Sequence, residues 1–340
     1  MDRVGFGVIG VGLFGENHAL VYSRLPEARL VAVCDVNEER AVEIARKYGA
    51  SQVYTDYRAL LDNPDIHAVS IATPDFAHRD IAIAAAEAGK HILIEKPLAT
   101  TVAESEAVVR AAQAAGVKLM VDFHNRCNPP FVSARQSVQA GEIGRPAYVY
   151  ARLSNTLYVP TQMLSWAAKT SALWFLGSHV ADLTRWLLND EPRRVYAVAR
   201  SGILKGMGVD TQDFHVAIIE FGGGAVATLE NAWILPETEP TVFNFKFEVL
   251  GSQGSIHINT SDHRAAQVFT AERAALPDLL GVVPTGPYRV GGFVLEAIAQ
   301  FVDAVVHDRP VLATGEDGVA AMRVLTAIEE SARTGRPVEL

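Results

Sequence analysis

The sequence predicts an α/β domain with a doubly wound parallel sheet, followed by an α+β domain with a large, mostly antiparallel sheet. In the first third of the chain, short β-branched runs alternate with longer Ala-rich amphipathic segments, and this alternation is typical of βαβ units. After about residue 122, strand-like runs follow one another with only turns between them, which is typical of an antiparallel sheet. We therefore expect domains at residues 1–122 and 123–340.

Length, composition and charge narrow the class of protein. The 340 residues are enough for two cores, and 49% of them are hydrophobic. No apolar run approaches the roughly 20 residues that span a bilayer, and no export leader is evident, so we expect a cytoplasmic location. The net charge of −9, with no dense basic cluster, argues against nucleic-acid binding. The only two cysteines, Cys34 and Cys127, lack a CxxC spacing, so neither a disulfide framework nor a metal site is expected.

Hydrophobic patterning places five strands and four helices in the first domain. The strands are expected at Val4 to Ile9, Leu30 to Cys34, Ala68 to Ala72, His91 to Ile94 and Lys118 to Val121. The helices are expected at Gly15 to Arg24, Glu38 to Tyr48, Ala77 to Ala88 and Val102 to Ala115. Gly89 and Gly116 stand just past two of these helices, where glycine commonly ends a helix.

The second domain is expected to begin with a loop and two helices and to continue as a sheet. The loop is expected at Asn125 to Pro130, and the helices at Pro130 to Ala140 and Ser171 to Leu188. The strands are expected at Arg194 to Ser201, Phe214 to Phe221, Ala225 to Trp233, Val242 to Leu250 and Gly254 to Asn259. Two C-terminal helices, Phe293 to His307 and Glu316 to Ala332, are expected to pack back on the first domain.

A GxGxxG motif occupies the turn after the first strand. It follows a strand and opens a helix, which is the context of a dinucleotide-binding Rossmann fingerprint. Gly10 permits the tight turn, Gly12 lets the backbone approach a pyrophosphate, and Gly15 allows close packing of helix and strand. We expect Leu13 and Phe14 to join them at the helix N-terminus, where phosphates bind amide donors.

Asp35 closes the second strand, 20 residues after Gly15. A carboxylate at this position binds ribose hydroxyls and repels a 2′-phosphate, so we expect NAD, with NADP less favoured. Arg40 leaves some tolerance for NADP, although a solvated helix face is its plainer interpretation. The alternative for the whole motif is a structural βα turn with an incidental aspartate.

Thr73-Pro74 ends the strand that begins at Ala68. The proline stops the strand abruptly and leaves Thr73 facing the cofactor. His78 begins the following helix as a further cofactor contact, or alternatively as a cap or packing residue.

Glu95-Lys96-Pro97 follows the apolar run from Ile92 to Ile94. In an open parallel sheet, chemistry gathers beyond the carboxyl ends of the strands. Lys96 would then face the nicotinamide ring of a bound dinucleotide. The alternative is a solvated lysine at a strand end.

The chain resembles the Gfo/Idh/MocA oxidoreductase family, which includes glucose–fructose oxidoreductase and inositol dehydrogenases. The resemblance rests on the N-terminal GxGxxG, on Ala72-Thr73-Pro74 with His78, and on Glu95-Lys96-Pro97. The resemblance covers the whole chain, including its ending at Thr314 to Gly318 and Ser331 to Arg336. It implies a Rossmann domain and a C-terminal domain built on an open sheet, whose exposed face commonly forms homodimers or homotetramers. It also implies a small polyhydroxylated substrate.

The resemblance assigns Lys96 to the catalytic site, near both nicotinamide and substrate. Oxidation of a secondary alcohol requires removal of the hydroxyl proton as hydride leaves carbon. A free lysine has a pKa of about 10.4 and is protonated near neutral pH. Burial or a neighbouring cation must lower this pKa before the amine can accept the hydroxyl proton. Pro97 would hold the turn rigid, with a cis Lys96–Pro97 bond as one option. Glu95 would position Lys96, or else be a plain structural acid.

The family also carries an Asp-x-x-x-His sequence on the helix that enters the sheet domain. His179 matches the histidine, whereas Phe175 stands at the aspartate position. Phe175 thus puts an apolar ring where a carboxylate normally helps, because residues four apart share a helix face. We therefore expect Lys96 to carry more of the proton transfer than in its relatives, with His179 assisting. Asp182 is expected to orient the imidazole or to bind substrate hydroxyls, and a core histidine is the alternative for His179.

Three further residues are weaker candidates for substrate binding. Arg126 follows the last strand of the first domain, where the family often has an arginine-bearing loop. Asn155 and Trp166 precede the His179 helix, and the indole face could pack on C–H groups of a sugar. Surface or packing roles are the alternatives for all three.

The sequence therefore predicts an NAD-dependent enzyme that oxidises a secondary hydroxyl of a sugar, cyclitol or sugar-derived polyol. Two other functions remain open at this stage. One is a net non-redox lyase, hydrolase or epimerase that works on a retained NAD. The other is a catalytically silent NAD-binding sensor.

Overall fold

The computed structural model describes residues 3–261, 268–270, 274–275, 278, 280–283 and 291–340. The chain forms two compact units. The first comprises Met1–Asn128 and Leu280–Met322, and the second comprises Pro129–Leu279 and Arg323–Leu340. The expected division into domains at residues 1–122 and 123–340 stays a prediction.

A six-stranded parallel sheet lies at the centre of the first unit. Its strands are β1 (Val4–Ile9), β2 (Ala28–Cys34), β3 (Gln52–Tyr54), β4 (Ala68–Ile71), β5 (His91–Ile94) and β6 (Leu119–Val121). They lie in the order β3-β2-β1-β4-β5-β6, with every neighbouring pair parallel. The strand order reverses between β1 and β4, and ligands bind at such a switch point in open α/β sheets.

Helices cover both faces of this sheet. They are α1 (Leu13–Arg24), α2 (Glu38–Tyr48), α3 (Tyr57–Leu61), α4 (His78–Glu87), α5 (Val102–Ala115) and α9 (Phe293–Val306). One apolar core contains residues of α1, α2 and α9, and the other contains residues of α3, α4 and α5. The packing is tight at Phe6, whose ring stacks on Tyr22 at 4.4 Å between centroids.

Local sequence sets the limits of several of these helices. The side chains of Asn37 and Thr101 accept hydrogen bonds from Arg40 and Glu104 at the N-termini of α2 and α5. Gly116 has a left-handed conformation just after α5, and Gly89 also has positive φ. The expected helix ends at both glycines are thus confirmed.

A seven-stranded mixed sheet forms the second unit. Its strands are β7 (Pro146–Asn155), β8 (Pro192–Arg200), β9 (Phe214–Phe221), β10 (Val226–Ala232), β11 (Phe243–Gly251), β12 (Ser255–Asn259) and β15 (Val338–Glu339). They lie in the order β12-β11-β7-β10-β9-β8-β15, and only β7 and β10 are parallel neighbours. A separate short hairpin joins β13 (Val268–Phe269) and β14 (Ala274–Ala275). The predicted fold class is therefore confirmed.

The second unit also contains helices, and the first of them begins at Pro129, directly after Asn128. They are α6 (Pro129–Gln139), α7 (Ser178–Leu188), the short α8 (Ile203–Gly206) and the last part of α10 (Gly315–Thr334). Among the described residues, no helix has the length and apolar character needed to cross a membrane.

Two expectations for the chain after residue 122 were wrong. The longest described strand, β7, was missed, although its residues alternate between buried and less buried. The expected loop at Asn125 contains a 3₁₀ turn at His124–Cys127 and the start of α6. The expected helix from Ser171 to Leu188 is confirmed, since the π-type turn at Leu173–Gly177 continues without a break into α7.

Candidate active site

The turn between β1 and α1 has the backbone of a dinucleotide cradle. Gly10 has φ +83°, and a Cβ there would lie 2.7 Å from the Ala72 carbonyl oxygen. A Cβ on Gly15 would lie 1.9 Å from the Gly10 oxygen, whereas one on Gly12 would meet no described atom within 4 Å. Gly10 and Gly15 therefore serve the turn itself, and Gly12 leaves open space for a ligand.

Leu13 and Phe14 form the first turn of α1. The Leu13 side chain is exposed, so it is available to a ligand at the helix N-terminus. The Phe14 ring lies nearly parallel to the His124 ring, with 6.3 Å between centroids and 12° between planes. Phe14 thus joins the turn after β1 to the turn after β6.

Asp35 binds the backbone of this cradle. One carboxylate oxygen accepts a hydrogen bond from Val11 N, and the other accepts one from Asn37 N, each at 2.9 Å. Arg40 Nε donates to the Val11 carbonyl at 3.0 Å. Its other nitrogens bind Glu16 and Glu43 at 2.5 and 2.8 Å. The charge of Arg40 is thus compensated by two carboxylates.

The turn after β4 places Thr73, Pro74 and His78 at the next strand end. Thr73 Oγ1 is buried and has no hydrogen-bond partner among the described residues. The His78 ring lies between two carbonyl oxygens, with Nε2 2.9 Å from Thr73 O and Nδ1 2.8 Å from Pro97 O. Burial lowers the pKa of His78. His78 therefore links the two turns, and its expected contact with the cofactor stays a prediction.

Lys96 is buried at the carboxyl end of β5, with 8% of the residue exposed. The Lys96–Pro97 peptide bond is cis. Burial lowers the pKa of Lys96, while the neighbouring carboxyl groups of Glu95, Asp75 and Asp122 oppose that shift. The alternative of a solvated strand-end lysine is thus wrong. A buried amine with a lowered pKa can accept a proton nearer neutral pH than a free lysine can.

Three buried residues beside Lys96 were not predicted from the sequence as site residues. His18 lies on α1, Asp122 directly follows β6, and His124 lies in the 3₁₀ turn after it. His18 Nε2 is 3.3 Å from Glu95 Oε1 and 3.9 Å from Asp122 Oδ2. Burial lowers the pKa of His124 to about 4. The position of Asp122 at a strand end was a usable signal, whereas His18 had none beyond its distance from Gly15.

His18, Glu95 and Asp122 are also the one group in the described part of the chain that offers three metal-ligand atoms within 4.8 Å. Two of them are joined directly by the His18–Glu95 hydrogen bond.

Arg126 has a structural environment in the first unit. It is buried, and Nη1 donates to the Leu312 carbonyl at 3.1 Å and to Asp317 at 3.0 Å. These contacts hold the chain at the start of α10. The substrate contact suggested for Arg126 stays a prediction.

In the second unit, His179 and Asp182 lie on α7 and are both buried. Phe175 lies in the preceding π-type turn, and its ring is 6.4 Å from Trp166 and 5.8 Å from Trp233, between centroids. Asn155 Oδ1 accepts a hydrogen bond from Trp233 Nε1 at 3.2 Å. These three aromatic rings thus form a cluster of Phe175, Trp166 and Trp233. Asn155 is hydrogen-bonded to the Trp233 ring of this cluster.

Known proteins resemble this chain over almost its full length. A family model for an oxidoreductase family with an NAD-binding Rossmann fold matches residues 4–123. A model for the GFO/IDH/MocA C-terminal domain matches residues 131–257. Levoglucosan dehydrogenase of Pseudarthrobacter phenanthrenivorans is 31% identical, over 98% of this chain and 97% of that protein.

The chain belongs to the Gfo/Idh/MocA oxidoreductase family. Its similarity to scyllo-inositol 2-dehydrogenase (NAD(+)) of Bacillus subtilis is 30% identity over 99% of this chain and 96% of that protein. The crystal structure of GenD2 from gentamicin A biosynthesis in complex with NAD is 28% identical, with a TM-score of 0.85 and coverage of 100% of this chain and 97% of that one. The predicted family is thus confirmed.

This Gfo/Idh/MocA protein is an NAD(P)-dependent oxidoreductase with an NAD-binding domain, as the sequence predicted. The residues present fit NAD. The open space at Gly12 admits a pyrophosphate, and the buried Thr73 hydroxyl has no partner among the described residues. Asp35 supplies a carboxylate at the end of β2, beside the glycine turn.

Two glycine variants separate cofactor binding from folding. Gly12→Ala should fold normally and bind NAD about tenfold or more weakly, because its methyl group enters the space for the pyrophosphate. Gly15→Ala should lose about 1–3 kcal/mol of unfolding free energy, because its Cβ meets the Gly10 carbonyl. Calorimetric NAD titration and thermal unfolding of both variants measure these effects. Wild-type NAD affinity in Gly12→Ala would contradict this account of the cradle.

Proposed function

We propose that this enzyme transfers hydride between NAD and a secondary CH–OH group of a sugar, cyclitol or sugar-derived polyol. The observation that carries the proposal is Lys96, a buried amine of lowered pKa at a strand end next to the dinucleotide cradle. The names of the relatives support the substrate class, since one acts on levoglucosan and another on scyllo-inositol.

Lys96 is the proposed acid/base. NAD, when bound, supplies the hydride acceptor for the oxidation. The free amine of Lys96 accepts the hydroxyl proton, and in the reverse direction its ammonium form returns a proton to the carbonyl oxygen. Burial keeps water away from the amine and lowers the pKa of Lys96, so a larger fraction of the amine is unprotonated at a given pH than in a free lysine. His179 is the proposed second polar contact to the reacting oxygen.

The aromatic cluster of the second unit is the proposed surface for the apolar side of the substrate. Trp166 and Phe175 are only partly buried, whereas Trp233 is fully buried behind them. Indole and phenyl faces pack well on the C–H groups of a pyranose or cyclitol ring. Asp182 is the proposed partner of substrate hydroxyls, and Asn155 acts through its bond to Trp233.

NAD is preferred to NADP in this proposal. Asp35 places a carboxylate where the 2′-phosphate of NADP would lie. Arg40 is held by Glu16 and Glu43, so its charge is already neutralised and offers a phosphate little attraction.

A homo-oligomer formed through the open face of the second sheet remains a proposal. Tyr196, Val216 and Ile218 are exposed on this face. The neighbouring charges of Arg152 and Glu230 are paired with each other at 2.8 Å. An apolar surface with internally neutralised charges suits an isologous contact with a second copy. The cytoplasmic location also stays a prediction.

A panel of sugars, inositols and sugar acids, assayed with NAD and NADP, tests the reaction. We expect NADH absorbance at 340 nm to appear with at least one secondary polyol and to be weaker with NADP. Turnover without added NAD, together with NAD found in the denatured protein by mass spectrometry, would identify net non-redox chemistry instead. Tight NAD binding with no reduction by any compound would identify a sensor.

Lys96→Ala should lower kcat by about 10² or more and leave NAD affinity nearly unchanged, because a general base contributes this much to the rate. His179→Ala should have the smaller effect if Lys96 carries the main proton transfer. Steady-state kinetics with the best substrate of the panel, with NAD titration as the control for binding, measure both. Unchanged turnover of Lys96→Ala would refute the assignment.

Ile218→Glu tests the oligomer. The charge should disfavour burial of this face, so the variant should shift towards monomer at equal concentration. Ile203→Glu is the matched control, because Ile203 is exposed on α8 and outside the sheet. Size-exclusion chromatography with light scattering gives the masses. A monomeric wild type would refute the proposal.

A further inference from the structure

A cluster of buried ionisable side chains lies next to Lys96. These side chains take no direct part in the proposed proton or hydride transfer. His18 comes from α1, Glu95 follows β5, and Asp122 follows β6. None of the three is more than 6% exposed. Placing ionisable groups at this depth is costly unless they are paired or hydrogen-bonded.

His18 is fixed by hydrogen bonds at both ring nitrogens. Nδ1 lies 2.8 Å from Ser70 Oγ, and Ser70 Oγ lies 2.5 Å from the Tyr22 hydroxyl. Nε2 lies 3.3 Å from Glu95 Oε1. A carboxylate oxygen only accepts, so Nε2 carries the hydrogen and donates it to Glu95. This series of hydrogen bonds, which runs from Tyr22 through Ser70 and His18 to Glu95, thus orients the Glu95 carboxylate next to Lys96.

The two carboxyl groups of the cluster differ in charge. Burial alone would raise the pKa of Glu95, but the hydrogen bond with His18 and the positive charge of Lys96 lower it to about 2. Burial and the neighbouring Glu95 raise the pKa of Asp122 well above its ordinary value. Ionisation of both carboxyls is disfavoured because their oxygens lie within 4.8 Å of each other, and the hydrogen bond from His18 favours the charge on Glu95.

Titratable groups from several elements surround Lys96. Glu95 precedes it on the chain, Asp75 lies in the turn after β4, and Asp122 follows β6. His124 adds the ring next to Asp122, with Nδ1 3.9 Å from Asp122 Oδ1. His18 approaches from the cofactor helix. Whether Asp122 holds its proton therefore decides how many negative charges face the amine.

We propose that His18, Glu95 and Asp122 are positioning residues for Lys96, which keep one charge on Glu95 and one proton on Asp122. His18 makes this arrangement depend on α1, the helix whose N-terminus forms the dinucleotide cradle. The same three residues offer metal-ligand atoms. The direct His18–Glu95 hydrogen bond and the Lys96 ammonium beside it favour a proton over a divalent cation in this space.

The pH dependence of Lys96 acetylation in the NAD-free protein tests the cluster. Trace labelling with acetic anhydride, followed by mass spectrometry of the Lys96 peptide, gives the pH midpoint of the amine, with the exposed Lys205 as reference. Glu95→Gln removes the charge next to the amine, so the midpoint should fall by about one pH unit or more. Asp122→Asn should move it by less than half of that shift, because a neutral group replaces a neutral acid. Glu95→Asp should keep the wild-type midpoint.

The pH dependence of turnover provides a second measurement, and only this measurement rests on the proposed function. The acid limb of the kcat/KM profile should move to lower pH in Glu95→Gln, because more of the amine is then free at a given pH. Movement of the labelling midpoint without any turnover would leave the cluster supported and refute the function. Asp303→Asn, which removes a carboxylate outside the cluster, should change neither readout.

Three results would overturn the proposal. One is a midpoint that falls by about one pH unit or more in Asp122→Asn, which would put the charge on Asp122. This result is judged against the wild-type midpoint, so it decides even if Glu95→Gln does not fold. Another is an unchanged midpoint in a folded Glu95→Gln variant. The third is a stoichiometric divalent metal in the purified protein that is lost in Asp122→Asn.

Discussion

A lysine buried at the end of a parallel strand is the constraint on which the rest of the site depends. Removing an ammonium group from water is costly, and the cost lowers the pKa of Lys96. Negative charge nearby offsets the cost, yet too much of it would restore an ordinary lysine that stays protonated. The proposed balance of one ionised acid, Glu95, and one protonated acid, Asp122, lies between these limits.

The sheet topology makes that balance possible. Because all six strands of the first unit run parallel, the turns after β1, β4, β5 and β6 meet at one edge. The glycine turn, Thr73, Lys96 and Asp122 each follow a different one of these strands. His78 ties two of the turns together through the carbonyls of Thr73 and Pro97, and His18 ties α1 to Glu95. The cofactor cradle and the amine are thus parts of one hydrogen-bonded edge.

Phe175 in the second unit has a structural consequence. The family resemblance implied an aspartate at this position, and the structure places the Phe175 ring against Trp166 and the buried Trp233. In the proposed mechanism, this aromatic cluster contacts the substrate through C–H packing rather than through charge. It leaves the main proton transfer to Lys96 in the proposed mechanism, with His179 on α7 as the polar assistant.

The sequence by itself determined the local features of this protein. The limits of β1, β5, α2 and α5 follow from periodicity and from caps within a few residues, and the glycine motif and Asp35 identify an NAD domain. Only the tertiary structure revealed β7, since its partners β10 and β11 lie about 80 and 100 residues further along the chain and no hairpin turn marks it. The cluster of His18, Glu95 and Asp122 was also hidden. The charge states proposed for these side chains depend on burial and proximity, and both arise only when a helix and two strand ends meet.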